Sequence, residues 1–226
     1  MCRTCGSGLG SPADLAAGKR SRLQKAVAEY IHGYTYGDSS LASSPVSLDE
    51  LESLKVSVGF TAEDVHFLRL AGEVLSPQTA QIVQRWRNEI IAGIPHLARH
   101  SRSTEGNPLP DYLAGSGLRF QQWILDTCFR PYDQDWLNYQ QEIALRHTSV
   151  KKNQTDGVQS TPYVPLRDIL AFIAVMNETI QPFLTAKGDS EETVVKMHQA
   201  WCKSMQLQMA LWAKPYMDEG HAANEW

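Results

Sequence analysis

The chain has 226 residues, 42% of them hydrophobic, and a formal net charge of −4. That length favours one domain, or one domain with an appendage, and suffices to bury a substantial core. The mild charge and scattered basic residues exclude nucleic-acid binding as the main task, no apolar run is long enough to span a membrane, and the start, MCRTCGSGLG, lacks the apolar core of a secretory signal, so a cytoplasmic location is expected.

Residues 1–11 are rich in glycine and serine and are expected to be disordered. Cys2 and Cys5 form a lone CxxC with no second pair at zinc-knuckle spacing, which suits chance or an oxidisable tail better than a structural zinc site. Leu15, Leu23 and Val27, with alanines between, predict a helix over 14–30. Gly18-Lys19-Arg20 is not a phosphate loop, since no hydroxyl residue follows the lysine and no strand precedes it. The expected organisation is an extension over 1–30, partly disordered or helical, a folded body over 31–217, and a tail over 218–226.

Gly33-Tyr34-Thr35-Tyr36-Gly37 reads as an ordered turn. Ser47-Leu48-Asp49-Glu50 is a capping box that starts a helix at Leu48, and Gly59 ends it. Thr61 to Asp64 opens the next helix, with Val65, Leu68 and Val74 on its apolar side. Ser76-Pro77 opens a third, carrying Ile82, Val83, Trp86, Ile90 and Ile91 and closing at Gly93 and Pro95. After a polar loop over 99–110, a helix runs from Pro110 towards Thr127 with Leu113, Phe120, Trp123 and Ile124. Gly115 and Gly117 weaken it by roughly 1 kcal/mol each, and are read as positions where something approaches the backbone closely.

Tyr132 to Thr148 reads as a helix after Pro131. Trp136, Tyr139, Ile143 and His147 recur at three- and four-residue steps, so they share one face and His147 is the polar end of an apolar stripe. Two readings stay open: a core histidine bonded to a backbone carbonyl, or a neutral imidazole acting as an iron or zinc ligand. A long polar loop over 150–165 precedes two last helices. One runs from Leu166 to Lys187-Gly188; the other runs from Asp189 and Ser190 to Lys214-Pro215. Met197, Met205 and Met209 are read as core, Cys128 and Cys202 as small buried hydrophobes, and His66, His96, His100, His198 and His221 as surface residues. No segment alternates with period two, so the fold is all-α. HExxH, GxSxG, GxGxxG and a repeated Glu-x-x-His are all absent.

In chain order, Gly33-Tyr34-Thr35-Tyr36-Gly37, Phe60-Thr61-Ala62-Glu63-Asp64, Ala71-Gly72-Glu73-Val74-Leu75, Trp123-Ile124-Leu125-Asp126-Thr127, Leu145-Arg146-His147, Lys151-Lys152-Asn153-Gln154-Thr155-Asp156 and Gln199-Ala200-Trp201 resemble the protoglobins. These are single-domain haem globins related to globin-coupled sensors, and the resemblance covers roughly residues 31–217. It implies a globin-like helical sandwich with an extra helix before the first globin helix. It implies haem b, with His147 as the proximal iron ligand, and reversible binding of O2, CO and NO by a gas sensor, carrier or scavenger. It puts Trp86 and Phe120 in the distal pocket, Ile124, Tyr139 and Ile143 beside the haem, Tyr34 in the segment that covers it, and Arg119 and Arg146 at the propionates or on a solvated surface. For His147 itself, a hydrogen bond from its second ring nitrogen to a carbonyl near Ile143 is expected.

The chain departs from the family at one point. Where members commonly carry a tyrosine after the tryptophan, it has Arg87, and one residue more stands between Trp86 and Pro95-His96-Leu97. An arginine there needs an anionic partner, so Arg87 is expected to turn outwards or to pair with a propionate. The pocket is expected to lack a tyrosine hydroxyl and to lose O2 faster. Competing functions are a haem enzyme (an NO dioxygenase or peroxidase-like protein needing a reductase partner) and a haem-free globin-fold interaction module. A homodimer through the last two helices is expected, using apolar positions such as Leu207 and Leu211, with a separate signalling partner if the protein is a sensor.

Overall fold

The computed structural model describes residues 31–217. The expected helix over 14–30, the glycine- and serine-rich start, the Cys2/Cys5 pair, His221 and the tail lie outside them. Among the described residues the regular structure is helical, apart from one isolated bridge between Arg102 and Pro108. The all-α expectation therefore holds. No helix among them is long and apolar enough to cross a membrane.

Helix α1 (Leu48–Val58) starts at the predicted box: Glu50 N–H donates to Ser47 Oγ at 3.2 Å and Ser47 N–H to the Glu50 carboxylate at 2.8 Å. It stops at Gly59, whose φ of 62° is left-handed and costs glycine nothing. Helix α2 (Ala62–Leu75) is opened by Thr61 N–H on Asp64 at 2.7 Å, and the same carboxylate takes Lys203 from the last helix at 2.8 Å. Next come α3 (Thr79–Gln84), the short α4 (Pro95–Ala98), α5 (Pro110–Phe129), α6 (Gln134–Leu145), α7 (Leu166–Leu184) and α8 (Glu191–Met217).

Helix α8 is the central member, packed against α1, α2, α6 and α7, while α2 and α3 lie on α5. Its inner face, including Met197, Trp201 and Met205, is fully buried. The close crossing of α2 and α5 depends on Gly72: a Cβ there would stand 2.6 Å from Phe129 and 2.7 Å from Cys128. No such crowding surrounds Gly115 or Gly117, where a Cβ would meet ordinary contacts or nothing within 4 Å, so the close approach read into that pair is not found.

Four further expectations are corrected. Helix α6 begins two residues later than predicted because Asp133 caps it, accepting from Trp136 N–H at 3.0 Å, and it ends at Leu145. Helix α7 stops at Leu184, short of Gly188. Helix α8 continues through Pro215 to Met217, because a proline so near a helix end removes one hydrogen bond from a turn already held elsewhere, with Tyr216 donating to Val164 O at 2.7 Å. Leu207 and Leu211 are buried inside the chain and so do not supply the free apolar face expected for a dimer contact; α7 and α8 expose Leu170, Val195 and Met217 instead.

The third predicted helix is not one regular helix. A 3-10 turn over Ser76–Gln78 leads into α3, which becomes a π-helix over Arg85–Ile90 and then a second 3-10 turn over Ile91–Gly93. A π turn holds one residue more than an α turn. This π turn overlaps the stretch between Trp86 and Pro95 where one residue more was expected.

A candidate cofactor cavity

The middle of the helical stack is hollow. A cavity of about 270 Å³ lies between α5, α6, α7, α8, the π segment and the 147–164 loop. Its apolar wall includes Ile91, Phe120, Trp123, Ile143, Ile173 and Trp212.

His147 stands just past the end of α6. Tight i→i+3 bonds, from His147 N–H to Ala144 O at 2.9 Å and Thr148 N–H to Leu145 O at 3.2 Å, replace the α pattern there. The ring stays on the stripe of Tyr139 and Ile143, and all three line the cavity. Nδ1 lies 2.8 Å from Ile143 O and can only donate to it, so Nε2 is the unprotonated nitrogen, with no hydrogen bond to any of the described residues. The hydrogen bond expected near Ile143 is present. Burial depresses the pKa of His147 to about 4, helped by the charges of Lys152, Arg87 and Arg146 and opposed by the Ile143 bond. The imidazole is therefore neutral, with a lone pair available, the form in which histidine ligates metals.

From His147 an aromatic arc runs round the cavity. His147 stacks on Trp212 at 5.7 Å, Trp212 meets Trp123 at 6.1 Å, Trp123 meets Phe120 at 5.4 Å, and the Arg87 guanidinium covers Phe120 at 5.6 Å. His147 and Arg87 are thus the two ends of one arc. Behind it, Trp86 packs on Phe120 at 5.2 Å and donates Nε1–H to Thr179 at 2.7 Å.

Of the residues singled out from sequence, His147, Phe120, Tyr139, Ile143, Arg119 and Arg146 come together on this wall. Trp86, Ile124 and Tyr34 do not line it. Trp86 and Ile124 are fully buried behind the wall, and Tyr34 sits edge-on to the back of Tyr139 at 5.5 Å.

The two arginines expected at propionates or in solvent are largely shielded from solvent and held by the protein's own carboxylates. Arg119 makes a two-point ion pair with Asp156, at 2.6 and 3.1 Å, and donates to His32 O at 2.8 Å. Arg146 binds Glu142 at 2.9 Å, Gly33 O at 2.6 Å and Thr35 Oγ1 at 3.0 Å. Together they clasp residues 32–35 against the outer side of the cavity wall. Tyr34 adds a third tie, donating to Asp126 at 2.7 Å, and Arg130 braces the pair. Gly33 is required: its φ is +72°, and a Cβ there would collide with Thr155.

Arg87 does not turn outwards. It lines the cavity with its Nε sealed from solvent and without a hydrogen-bond partner. Lys152, buried beside it, has only His100 O at 3.1 Å, and burial lowers its pKa to about 8. Among the described residues neither cation has a carboxylate within ion-pair distance, although the Asp156 charge acts on both.

His100 was expected at the surface and is instead buried on this wall. Its Nδ1 is 2.7 Å from Thr161 Oγ1 and its Nε2 stands 3.5 Å from Asp168, too far for more than a weak bond. Two tyrosines line the cavity, Tyr139 on the His147 stripe as expected and Tyr112 from α5. Sequence reasoning missed Tyr112, although Tyr112, Ser116, Arg119, Phe120 and Trp123 recur at helical spacing and had marked one face of α5. Lys152 and Asp156 sit in a loop, where no period points anywhere.

A family model described as Protoglobin matches residues 47–222 of this chain. No curated protein matches it.

Proposed function

Because the chain belongs to the protoglobin family, whose globin-like all-α fold goes with haem and gas binding, we propose that it holds haem b in the central cavity and binds O2, CO and NO reversibly. His147 is the iron ligand through Nε2. Phe120, Ile143, Trp212 and their neighbours give the apolar contact a flat macrocycle needs. The ammonium of Lys152, five residues from His147, suits a carboxylate of such a cofactor. When bound, the haem supplies an iron site open to a diatomic gas.

The observation that carries this reading is the fixed tautomer of His147. An ordinary core histidine satisfies both ring nitrogens or is sealed away. Here one nitrogen is tied to Ile143 O at 2.8 Å and the other is left without a partner on the wall of a cavity. The chain's own residues do the rest: the Ile143 carbonyl orients the ring, burial keeps it unprotonated, and the clasp ties residues 32–35 to the arginines of the wall.

Absorbance of the purified protein, alone and after added haemin, tests the proposal. A Soret band with one haem per chain is expected, and His147→Ala should abolish it or replace it with a weak, loosely bound form. Protein that stays colourless with excess haemin, or a His147→Ala protein with an unchanged spectrum, refutes it.

A further inference from the structure

A second, shallower cleft lies on the far side of the π segment, between it and α5, lined by Ala80, Gln84, Asn88, Leu113, Gly117 and Gln121. Arg87 lines both this cleft and the central cavity.

Among the described residues no carboxylate lies within ion-pair distance of Arg87, whereas Arg119 and Arg146 on the same wall are paired with Asp156 and Glu142. The face of the guanidinium is spent on Phe120 at 5.6 Å. Its donor edge is not spent, because Nε has no partner. Tyr112 presents a hydroxyl near enough to feel the guanidinium charge. Arg87 is half-buried with its Nε sealed, so part of its hydration is lost without an ion pair to replace it, and an anion would complete the pair.

We propose that Arg87 holds a small planar oxyanion of the nitrate, nitrite or formate type at the junction of cavity and cleft, a second class of ligand beside the neutral gases. The edge of a guanidinium presents parallel N–H donors, which match two oxygens in a plane. A single guanidinium, with the Lys152 ammonium held on His100 O, matches a monovalent ion. A tetrahedral phosphate brings more charge and more acceptors than one arginine and one tyrosine can meet. The cleft supplies a route from solvent: at Gly117 a Cβ would touch nothing within 4 Å. The inference rests on the haem reading only in placing this anion beside the gas site.

The test uses sodium formate and sodium nitrate, balanced with chloride at constant ionic strength. Binding is read by absorbance of the ferric haem-loaded protein and by the Arg87 Nε–H resonance of the haem-free protein. Saturable binding is expected in both, with the Nε–H signal shifted. Arg87→Met should weaken it by at least about tenfold, as for a lost charge-assisted hydrogen bond, with haem content unchanged. Arg87→Lys, which keeps the charge and loses the fork, should fall between and covers the case where the methionine variant misfolds. Gly117→Leu should slow association. Equal affinity in wild type and Arg87→Met overturns the proposal, as does an unmoved Nε–H signal at saturating formate. Faster haem loss from Arg87→Met with unchanged formate affinity also overturns it, and assigns the guanidinium to a cofactor carboxylate. A protein that takes no haem refutes the haem reading alone, because the resonance still reports the anion.

Discussion

His147 is neutral in the folded protein because burial outweighs its bond to Ile143, with a folded pKa of about 4 against an ordinary value of 6.5. The unfolded chain therefore takes up a proton at a higher pH than the folded one. The stability this residue supports is complete above pH 6.5 and is lost as pH falls towards 4. Urea unfolding of the haem-free protein should show the loss, and His147→Phe should flatten that part of the profile. An identical slope in both proteins would disprove the assignment. Arg87 supplies a second prediction at this scale. Replacing a half-buried charge that has no ion-pair partner by an apolar side chain of similar length removes part of a desolvation cost, so Arg87→Met should stabilise the haem-free protein. The denaturant midpoint measures this, and a lower midpoint would show that the guanidinium has a partner.

Among the elements, the starts of α1 and α2 were legible because capping residues act within a single turn: Ser47 with Glu50, and Thr61 with Asp64. Asp133 is a cap of the same kind, and passing over it displaced the start of α6 by two residues. Pro215 misled in the opposite way, because a proline in a last turn is tolerated when packing holds the turn. The surplus residue after Trp86 could be counted from sequence. Its placement as a π turn that aims Arg87 inwards could not, since the choice between a bulge and a longer loop depends on what α5 presents opposite. The α2–α5 crossing gives a prediction: Gly72→Val must push against Phe129 and Cys128, whose atoms lie 2.6–2.9 Å from a Cβ there. It should cost about 1–3 kcal/mol or more of stability, seen as a lowered melting temperature. Gly117→Ala, with open space around it, should be tolerated.

Across the whole molecule, the cavity and its cover belong to one mechanical unit. Arg146 precedes His147 in the chain, and its guanidinium holds Gly33 O and Thr35 at 2.6 and 3.0 Å. Arg146→Met should free residues 31–37, raising their amide hydrogen exchange and opening them to proteases while leaving α2 and α8 protected. Uniform exchange across wild type and variant would show that Tyr34 and Arg119 suffice. The stripe that ends at His147 was readable because helical spacing is a property of the sequence. The clasp was not, because it joins positions 113 and 111 residues apart.

The aromatic arc has a practical corollary. Trp123 and Trp212 line the cavity and lie 6.1 Å apart, and Trp201 and Trp86 continue the series behind them at 6.0 and 6.5 Å. Indoles this close pass excitation among themselves, and a light-absorbing guest against any of them drains the set. Ultraviolet emission is thus a built-in gauge of occupancy: bright for the empty protein, dark for the filled one, and usable without a label at concentrations too low for colour.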